Sequence, residues 1–276
     1  CIRDRYKRAR AQPRAPRSTP DTERPVIYVC SPSHNEAATV GVLLWKVRKV
    51  MGEFGRDYRA VVFDDASTDG TDEVLRRYRH ALPLTILRSE ERLGHGRSVE
   101  RLLRHVVEAA KYPKRDCAVV LQGDFTENPE DIVGLVKIFE GGADIVAGAT
   151  EAGDGEQPRG VRLARRFARL AMGRAYRDAP VSDPLSGLRA YRVIVLKKAL
   201  RDLADEGHLV HGDGWAANLR LLDALAPHAR RMGEAPLHMR YDLRIRPSRF
   251  QAWGTLMSLT RMRRLPLWRS AGTGAA

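Results

Sequence analysis

Short apolar runs alternate along the chain with stretches whose apolar residues recur at helical spacing. Residues 26–32, VIYVCSP, are an apolar run stopped by Ser and Pro, the pattern of a buried parallel strand. Past Asn35-Glu36, residues Val40, Leu43, Leu44, Val47 and Met51 fall on one face of a predicted helix. Strand-like runs recur at 58–65, 84–89, 117–124 and 143–149. Helical patterns fill the gaps. The stretch 66–81 opens on Ser67-Thr68-Asp69, which offers caps, and on Gly70, which offers a tight turn. The stretch 92–111 opens on a glycine-bearing turn, and 129–142 follows the Asn128-Pro129 break. The order βαβαβαβαβ predicts an α/β fold, a mostly parallel sheet with helices on both faces.

After Gly153 the pattern loosens. Residues 162–178 read as a strongly basic helix with Leu163, Phe167, Leu170 and Ala171 on one side. Residues 183–200 read as a turn and then a strand or helix, 208–227 as a loop and helix, and 235–244 as a late strand. The C-terminal stretch mixes Trp253, Leu256, Met257, Leu265 and Trp268 with Arg261, Arg263 and Arg264. It reads either as a segment lying in a membrane interface or as a helix packed on the main domain. No internal repeat is present.

Two of the strand-like runs end in carboxylates: VVFDDASTDGT at 61–71 and VVLQGDFTENPEDI at 119–132. In an open α/β sheet, ligands gather outside the carboxyl ends of the strands. A carboxylate there can hold a divalent metal, and the metal can hold a diphosphate. Two acidic strand ends in one chain therefore point to a nucleotide-binding site.

Composition narrows the partners. The 276 residues suit one large domain with extensions, and 43% hydrophobic content supports a sizeable core. No run of eighteen apolar residues is present, so no membrane span is expected. The first residues carry charge without an apolar signal core, and a start at Cys1 reads as a processed or trimmed product. Cys30 and Cys117 lie in strand-like runs and read as buried thiols of a reducing compartment, hence a cytoplasmic location, peripheral at the inner face of the membrane. The net charge of +14 calls for anionic partners. Residues 1–24 carry eight Lys/Arg against Asp4, Asp21 and Glu23 and read as a disordered basic tail. Nucleic acid is disfavoured, because no interleaved aromatics or reading module accompanies the charge.

Five motifs in order resemble the family 2 glycosyltransferases of GT-A fold, most of all the polyprenyl-phosphate enzymes of the dolichol-phosphate mannose synthase type. SPSHNEAATV resembles their P-x-Y-N-E, VVFDDASTDGT their V-D-D-G-S-x-D-x-T, and RLGHGRSV their G-K-G turn. LQGDFTENPEDI resembles D-x-D-L-x-x-x-P-E, and SDPLSGLRAYR resembles D-x-x-S-G-F-R-x-Y. The likeness covers roughly residues 25–249, leaving 250–276 as a basic amphipathic C-terminal segment.

The resemblance implies a nucleotide diphosphate sugar bound by Pro32, His34, Glu36, Asp64, Asp65, Gln122, Gly123 and Asp124, with Asp64 or Asp65 accepting from the base. Asp124 would touch Mg²⁺ or Mn²⁺. Helix capping by Asn35, Glu36 and Asp69 is the simpler reading and can coexist. The family's first metal-motif Asp is Gln122 here, and its later Gln is Thr126. An acceptor phosphate is expected at Arg162, Arg166, Ser186, Arg189, Arg244 and Arg249, since the arginine fork suits phosphate. Arg166 stands where the family has Ser, and Thr150 where it has Arg.

The implied reaction is inverting transfer of a hexose from a GDP- or UDP-sugar to a polyprenyl phosphate. Were the acceptor a hydroxyl, a base would be required, and Asp183 or Asp213 is the candidate, with His211 the weaker one. The rivals are a GT-A enzyme acting on a soluble or protein hydroxyl, and a sugar-nucleotide binder weakened in catalysis by Gln122 and Thr126.

Overall fold

The computed structural model describes residues 24–124, 126–150, 159–203, 207–210, 212–238, 259–260 and 267–268. The parallel strands β1 (Ile27–Ser33), β2 (Tyr58–Asp65) and β3 (Leu84–Ser89) fall where the apolar runs place them, while β4 (Cys117–Val120) stops four residues short of the expected 117–124, leaving Asp124 in the loop that follows. They are joined by helices α1 (Val40–Phe54), α2 (Thr71–Tyr78) and α3 (His95–Ala109). Helix α4 (Asp131–Glu140) leads into β5 (Ile145–Thr150). The basic stretch forms α5 (Arg159–Met172) and the short α6 (Arg174–Arg177). Residues 183–200 supply both predicted alternatives, β6 (Arg189–Arg192) running into α7 (Val193–Arg201). Helix α8 (Gly214–Leu225) and β7 (Met232–Leu237) complete the described chain. The late strand begins three residues before the predicted start, and 239–244 lie outside the described residues.

The described strands form one sheet in the order β3-β2-β1-β4-β6-β5-β7. Strand β6 is antiparallel to both β4 and β5, so it separates two strands that the alternation alone would set side by side. The remaining pairings are parallel.

The pleat sorts the core into two layers. Tyr28, Cys30, Val61, Phe63, Ala118 and Val120 face α3 and α8. Their sequence neighbours Ile27, Val29, Cys117, Val119 and Leu121 face α1 and α4. This is the period-2 alternation of a sheet buried on both sides, and each fully buried Val or Leu contributes roughly 1.5–3 kcal/mol. The predicted α1 stripe, Val40, Leu43, Leu44, Val47 and Met51, is buried throughout. Cys30 and Cys117 are buried free thiols, and burial pushes both well above the ordinary thiol range.

Helix α5 turns its predicted apolar side outward. Leu163, Phe167 and Leu170 are 56%, 48% and 68% exposed, while the small or flexible Ala168 and Met172 are buried against Leu185 and Leu219. The described C-terminal residues take the packed alternative. Leu259 is buried beside Met172, and the Trp268 indole N–H donates to Ala175 O at 2.6 Å. Residues 1–23, most of 250–276, Arg244, Arg249 and His211 lie outside the described residues.

Candidate active site

The register places three strand ends side by side. Pro32 stands opposite Phe63 and Ser33 opposite Asp64, while Cys30 stands opposite Val120 on the other flank. The two acidic tips, after β2 and after β4, therefore flank the end of β1. A methyl group added to Gly123 would lie 3.3 Å from Pro32 O and 3.8 Å from the Glu36 side chain. Gly123 thus packs directly against Pro32 and Glu36, bringing the loop after β4 up to the first-strand motif.

The β2 end is a dense turn. The Asp65 carboxylate accepts from Leu93 N–H at 2.6 Å, Gly94 N–H at 2.9 Å and the Ser89 hydroxyl at 3.3 Å. It fastens the glycine turn ahead of α3. Asp64 differs. Its Oδ1 accepts from Ser67 N–H at 3.1 Å, but its buried Oδ2 accepts no hydrogen bond and has only Arg88 Nε at 3.7 Å. Of the two candidates for a base N–H, Asp64 holds the available oxygen. Arg88 also reaches Asp72 at 3.0 Å. Ala66, where the family motif has Gly, takes φ +52°.

The first-strand motif braces that turn. His34 Nδ1 lies 2.6 Å from Asp65 O. Asn35 Oδ1 accepts from Thr68 N–H at 2.8 Å, and Ser67 Oγ accepts from Asn35 N–H at 2.9 Å. Glu36 Oε2 accepts the Thr39 hydroxyl at 2.7 Å, and Glu36 N–H donates to Thr71 Oγ1 at 2.8 Å. Asp69 accepts from Ala37 N–H at 3.0 Å and Thr71 N–H at 3.1 Å. Helices α1 and α2 begin at Thr39 and Gly70 without a side-chain cap, so Asn35, Glu36 and Asp69 brace the turn between the motifs and do not cap either helix in the way expected.

Beyond β4, Asp124 Oδ1 accepts from Thr126 N–H at 3.0 Å, so the carboxylate also closes a local turn. Glu127, which the motif reading passed over, is buried and its Oε2 accepts from Gln122 N–H at 2.8 Å. Burial pushes its carboxyl up to about 8, helped by the charge of Asp124 and opposed by N–H groups of Gln122 and Leu188 and by Arg189. The S-G motif packs here as well. A methyl on Gly187 would lie 3.0 Å from Glu127 Oε1, 3.1 Å from Gln122 Nε2 and 3.2 Å from Asn218 Nδ2. The metal-motif and S-G segments are therefore in contact through a glycine with no room for a side chain.

In that S-G segment, Asp183 Oδ1 accepts from Leu185 N–H at 3.2 Å and its Oδ2 from Arg165 Nη1 at 2.5 Å. Arg165 also lies over the Trp215 ring at 5.7 Å. The arginine that turns inward from α5 is thus Arg165, while Arg162 and Arg166 are exposed on the outer side. Arg189 requires a correction. It is wholly buried, with Nη1 donating to Asn218 O and Nη2 to Pro184 O, both at 2.6 Å. Its fork holds backbone carbonyls together and is not presented to an acceptor phosphate. Ser186 Oγ, by contrast, is buried with no hydrogen-bond partner.

Asp213 ends the loop before α8, exposed, with its Oδ2 3.7 Å from where a Gly94 Cβ would lie. His95, at the first turn of α3, stands between the acidic groups. Burial holds its imidazole below the ordinary histidine range, against the pull of Asp213, a hydrogen bond with Asn218 and the charge of Asp124. Sequence reasoning missed His95, Glu127 and Asn218. The first lies inside the quoted glycine turn, whereas the other two become visible only once the S-G segment is placed against β4.

Buried polar atoms without partners collect at these tips. Among the described residues they are Ser31 Oγ, Ser33 Oγ, Asp64 Oδ2, Thr126 Oγ1 and Ser186 Oγ, with Arg165 Nε and Arg189 Nε further in. Orphaned buried polar groups are costly and rare, so their clustering near these carboxylates makes this end of the sheet the candidate site. No ready-made group of three His, Cys, Asp or Glu side chains for a metal stands among the described residues. Asp124 with the free Thr126 hydroxyl fits a metal completed by ligand phosphates, since Mg²⁺ needs only one or two carboxylates.

The mostly parallel sheet with carboxylates beyond the ends of β2 and β4 is an open α/β architecture, in which ligands bind outside the carboxyl ends of the strands. A family model, Glycosyl transferase family 2, matches residues 28–200, and the chain belongs to that family of glycosyltransferases. An undecaprenyl-phosphate 4-deoxy-4-formamido-L-arabinose transferase of Edwardsiella ictaluri (strain 93-146) is 27% identical over 178 residues, covering 63% of this chain and 51% of that protein. A protein of the same description from Aeromonas hydrophila subsp. hydrophila is 24% identical over 126 residues, covering 46% and 37%. The chain spans about half the length, or less, of these curated relatives. Glucosyl-3-phosphoglycerate synthase from Mycobacterium tuberculosis, solved with Mn²⁺, UDP and glucosyl-3-phosphoglycerate, superposes with a TM-score of 0.55 at 20% identity, covering 87% of this chain and 77% of that one. The same enzyme solved with Mg²⁺ and UDP gives 0.55 again. The fold is GT-A.

Proposed function

We propose that the protein moves a hexose, with inversion, from a nucleotide diphosphate sugar to a polyprenyl phosphate. The observation that carries the reading is the run of unpartnered buried polar atoms along the ends of β1, β2 and the β4 loop, next to Asp124. The base would lie by Asp64, whose free oxygen suits the ring N–H of uracil or guanine. Glu36, His34, Gln122 and Gly123 would line the sugar nucleotide. A divalent ion, Mg²⁺ or Mn²⁺, would be held by Asp124 and would offset the charge growing on the leaving diphosphate.

The acceptor phosphate oxygen forms the new bond to the anomeric carbon from the face opposite the diphosphate. The bond to the diphosphate oxygen breaks with its electron pair, releasing the nucleoside diphosphate. A phosphate is already an anion at neutral pH, so no strong base is needed, and the task of the chain is positioning. Arg165, held against Asp183, and the Ser186 hydroxyl would meet the acceptor phosphate. Arg244 and Arg249 would be further phosphate contacts, whereas Arg162 and Arg166 are exposed on the outer side of α5. The curated relatives' description as undecaprenyl-phosphate transferases supports the acceptor class.

The test is transfer from radiolabelled UDP- and GDP-sugars in Mn²⁺ or Mg²⁺, followed by partition between water and organic solvent. Label moving into the organic phase with a polyprenyl phosphate present supports the reading. Label passing only to a water-soluble acceptor assigns the chain to the soluble-hydroxyl alternative, with Asp213 or Asp183 as base. Nucleotide binding without any transfer would mark a weakened binder.

A further inference from the structure

Helix α5 carries most of the large apolar side chains that the described surface leaves in solvent. Of five such residues, three are Leu163, Phe167 and Leu170, spaced i, i+4 and i+7 so that they form one stripe. The opposite face of α5, with Ala168 and Met172, is buried against α8 and the S-G segment. The stripe is thus not a core face left unpacked by chance of registry, because the helix already has a packed side. Arg162, Arg166 and Arg169 are exposed along its flank, and α5 contains no acidic residue.

We infer that α5 is a docking surface for an anionic lipid bilayer, with the stripe entering the headgroup boundary and the flanking arginines meeting lipid phosphates. An outward apolar stripe beside arginines on a helix of 14 residues is the layout of an in-plane interfacial helix. No described helix is long and apolar enough to cross a membrane, which leaves surface contact as the mode available to α5. Charge decides among occupants. A second copy of a chain with net charge +14 would bring cations to cations, as would this chain's own basic C-terminal stretch. A bilayer rich in anionic lipid supplies the opposite sign, at about 1 kcal/mol per Lys or Arg near the surface.

The consequence for the site is geometric. Arg165 leaves the inner face of the same helix to pair with Asp183. Docking through Leu163, Phe167 and Leu170 would hold that ion pair about one helix diameter, ~10 Å, from the lipid surface. A phosphate on a membrane lipid could then reach the acceptor side while its chain stays in the bilayer. The inference extends the lipid-acceptor reading, yet stands on α5 alone.

The experiment is co-sedimentation of the 276-residue chain with phosphatidylcholine vesicles, with and without phosphatidylglycerol, for the wild type and for Leu163→Gln/Phe167→Gln/Leu170→Gln. Glutamine keeps helix propensity, and exposed positions leave folding intact. The wild type is expected to sediment with the anionic vesicles only. The triple variant should partition at least about tenfold more weakly, because three apolar insertions are lost. Its thermal stabilisation by UDP or GDP should match the wild type, which checks the fold. Equal sedimentation of the two proteins would overturn the inference. So would a wild type that ignores anionic vesicles, or a triple variant that changes only the oligomeric state in light scattering. The lipid-acceptor reading fails separately: docking with transfer only to a soluble acceptor sinks that reading and keeps this one.

Discussion

Ser33 and Asp64 stand opposite each other in the β1–β2 ladder, and each carries a buried oxygen that no donor in the described chain satisfies. Neighbouring Asp65 accepts the Leu93 and Gly94 N–H groups of the turn before α3. Two adjacent aspartates in the sequence thus differ: one accepts two backbone N–H bonds of the turn before α3, and the other keeps a buried oxygen without a hydrogen bond.

Asp64→Asn should weaken nucleotide binding while leaving the fold intact. Losing a charged acceptor costs about 1.5–3 kcal/mol, which is roughly tenfold to a hundredfold in Kd. Titration calorimetry with UDP and GDP reads this directly. An unchanged Kd for both nucleotides would move the base elsewhere. Asp65→Asn should instead lower the thermal midpoint, since it loosens two backbone N–H contacts.

Ala66 occupies the left-handed region at φ +52°, where a Cβ is costly. Ala66→Gly should therefore stabilise the protein by about 1 kcal/mol, after its greater unfolded-state entropy is counted. Urea unfolding gives the sign. A variant less stable than the wild type would show that local contacts of the methyl group outweigh the strain.

Much of this site was legible in the chain itself. The strand end at Asp64-Asp65 and the loop that carries Asp124 just past β4 follow from apolar runs that stop in carboxylates, and the five motifs fix their order. Three things were not legible. Strand β6 enters the sheet antiparallel between β4 and β5, a long-range pairing that local periodicity does not encode. The direction of α5 was ambiguous, because Leu163, Phe167 and Leu170 outweigh Ala168 and Met172 in hydrophobicity while packing favoured the smaller face. Arg189 matched a motif position, yet motif matching cannot separate an arginine that meets a ligand from one that ties Pro184 O to Asn218 O.

Arg189→Met tests that structural role. It fills a similar volume but abandons two buried carbonyls, at a cost of about 2–4 kcal/mol in unfolding free energy. The loss should appear in chemical denaturation without any ligand. A variant of full stability but weakened acceptor affinity would restore the phosphate contact expected from the motif.

Glu127 makes stability depend on pH in a defined direction. Its folded carboxyl is raised to about 8, above the ~4.3 of an unfolded glutamate. The folded state therefore holds the proton more tightly than the unfolded chain, and stability falls as pH rises between these values. The decline should level off above about pH 8. Glu127→Gln, with no proton to lose, should flatten this part of the curve when denaturation midpoints are compared from pH 5 to 9 in chelator. Parallel curves for the two proteins would place the titration elsewhere.

Asp124 carries the sharpest prediction. It already closes a turn with Thr126 N–H, a bond that asparagine can keep through its carbonyl oxygen. Asp124→Asn should then fold normally and stabilise with metal-free nucleotide as the wild type does. What it should lose is the extra thermal stabilisation that Mn²⁺ adds to UDP or GDP, because a neutral amide is a poor ligand for a hard cation. Turnover should fall about 10²–10³-fold, the scale of removing one charge-stabilising contact from a transition state. The two readouts separate the possible failures. Retained Mn²⁺ dependence with lost turnover would move the ion to other ligands, and intact turnover with intact Mn²⁺ dependence would leave Asp124 as a turn-closing residue alone.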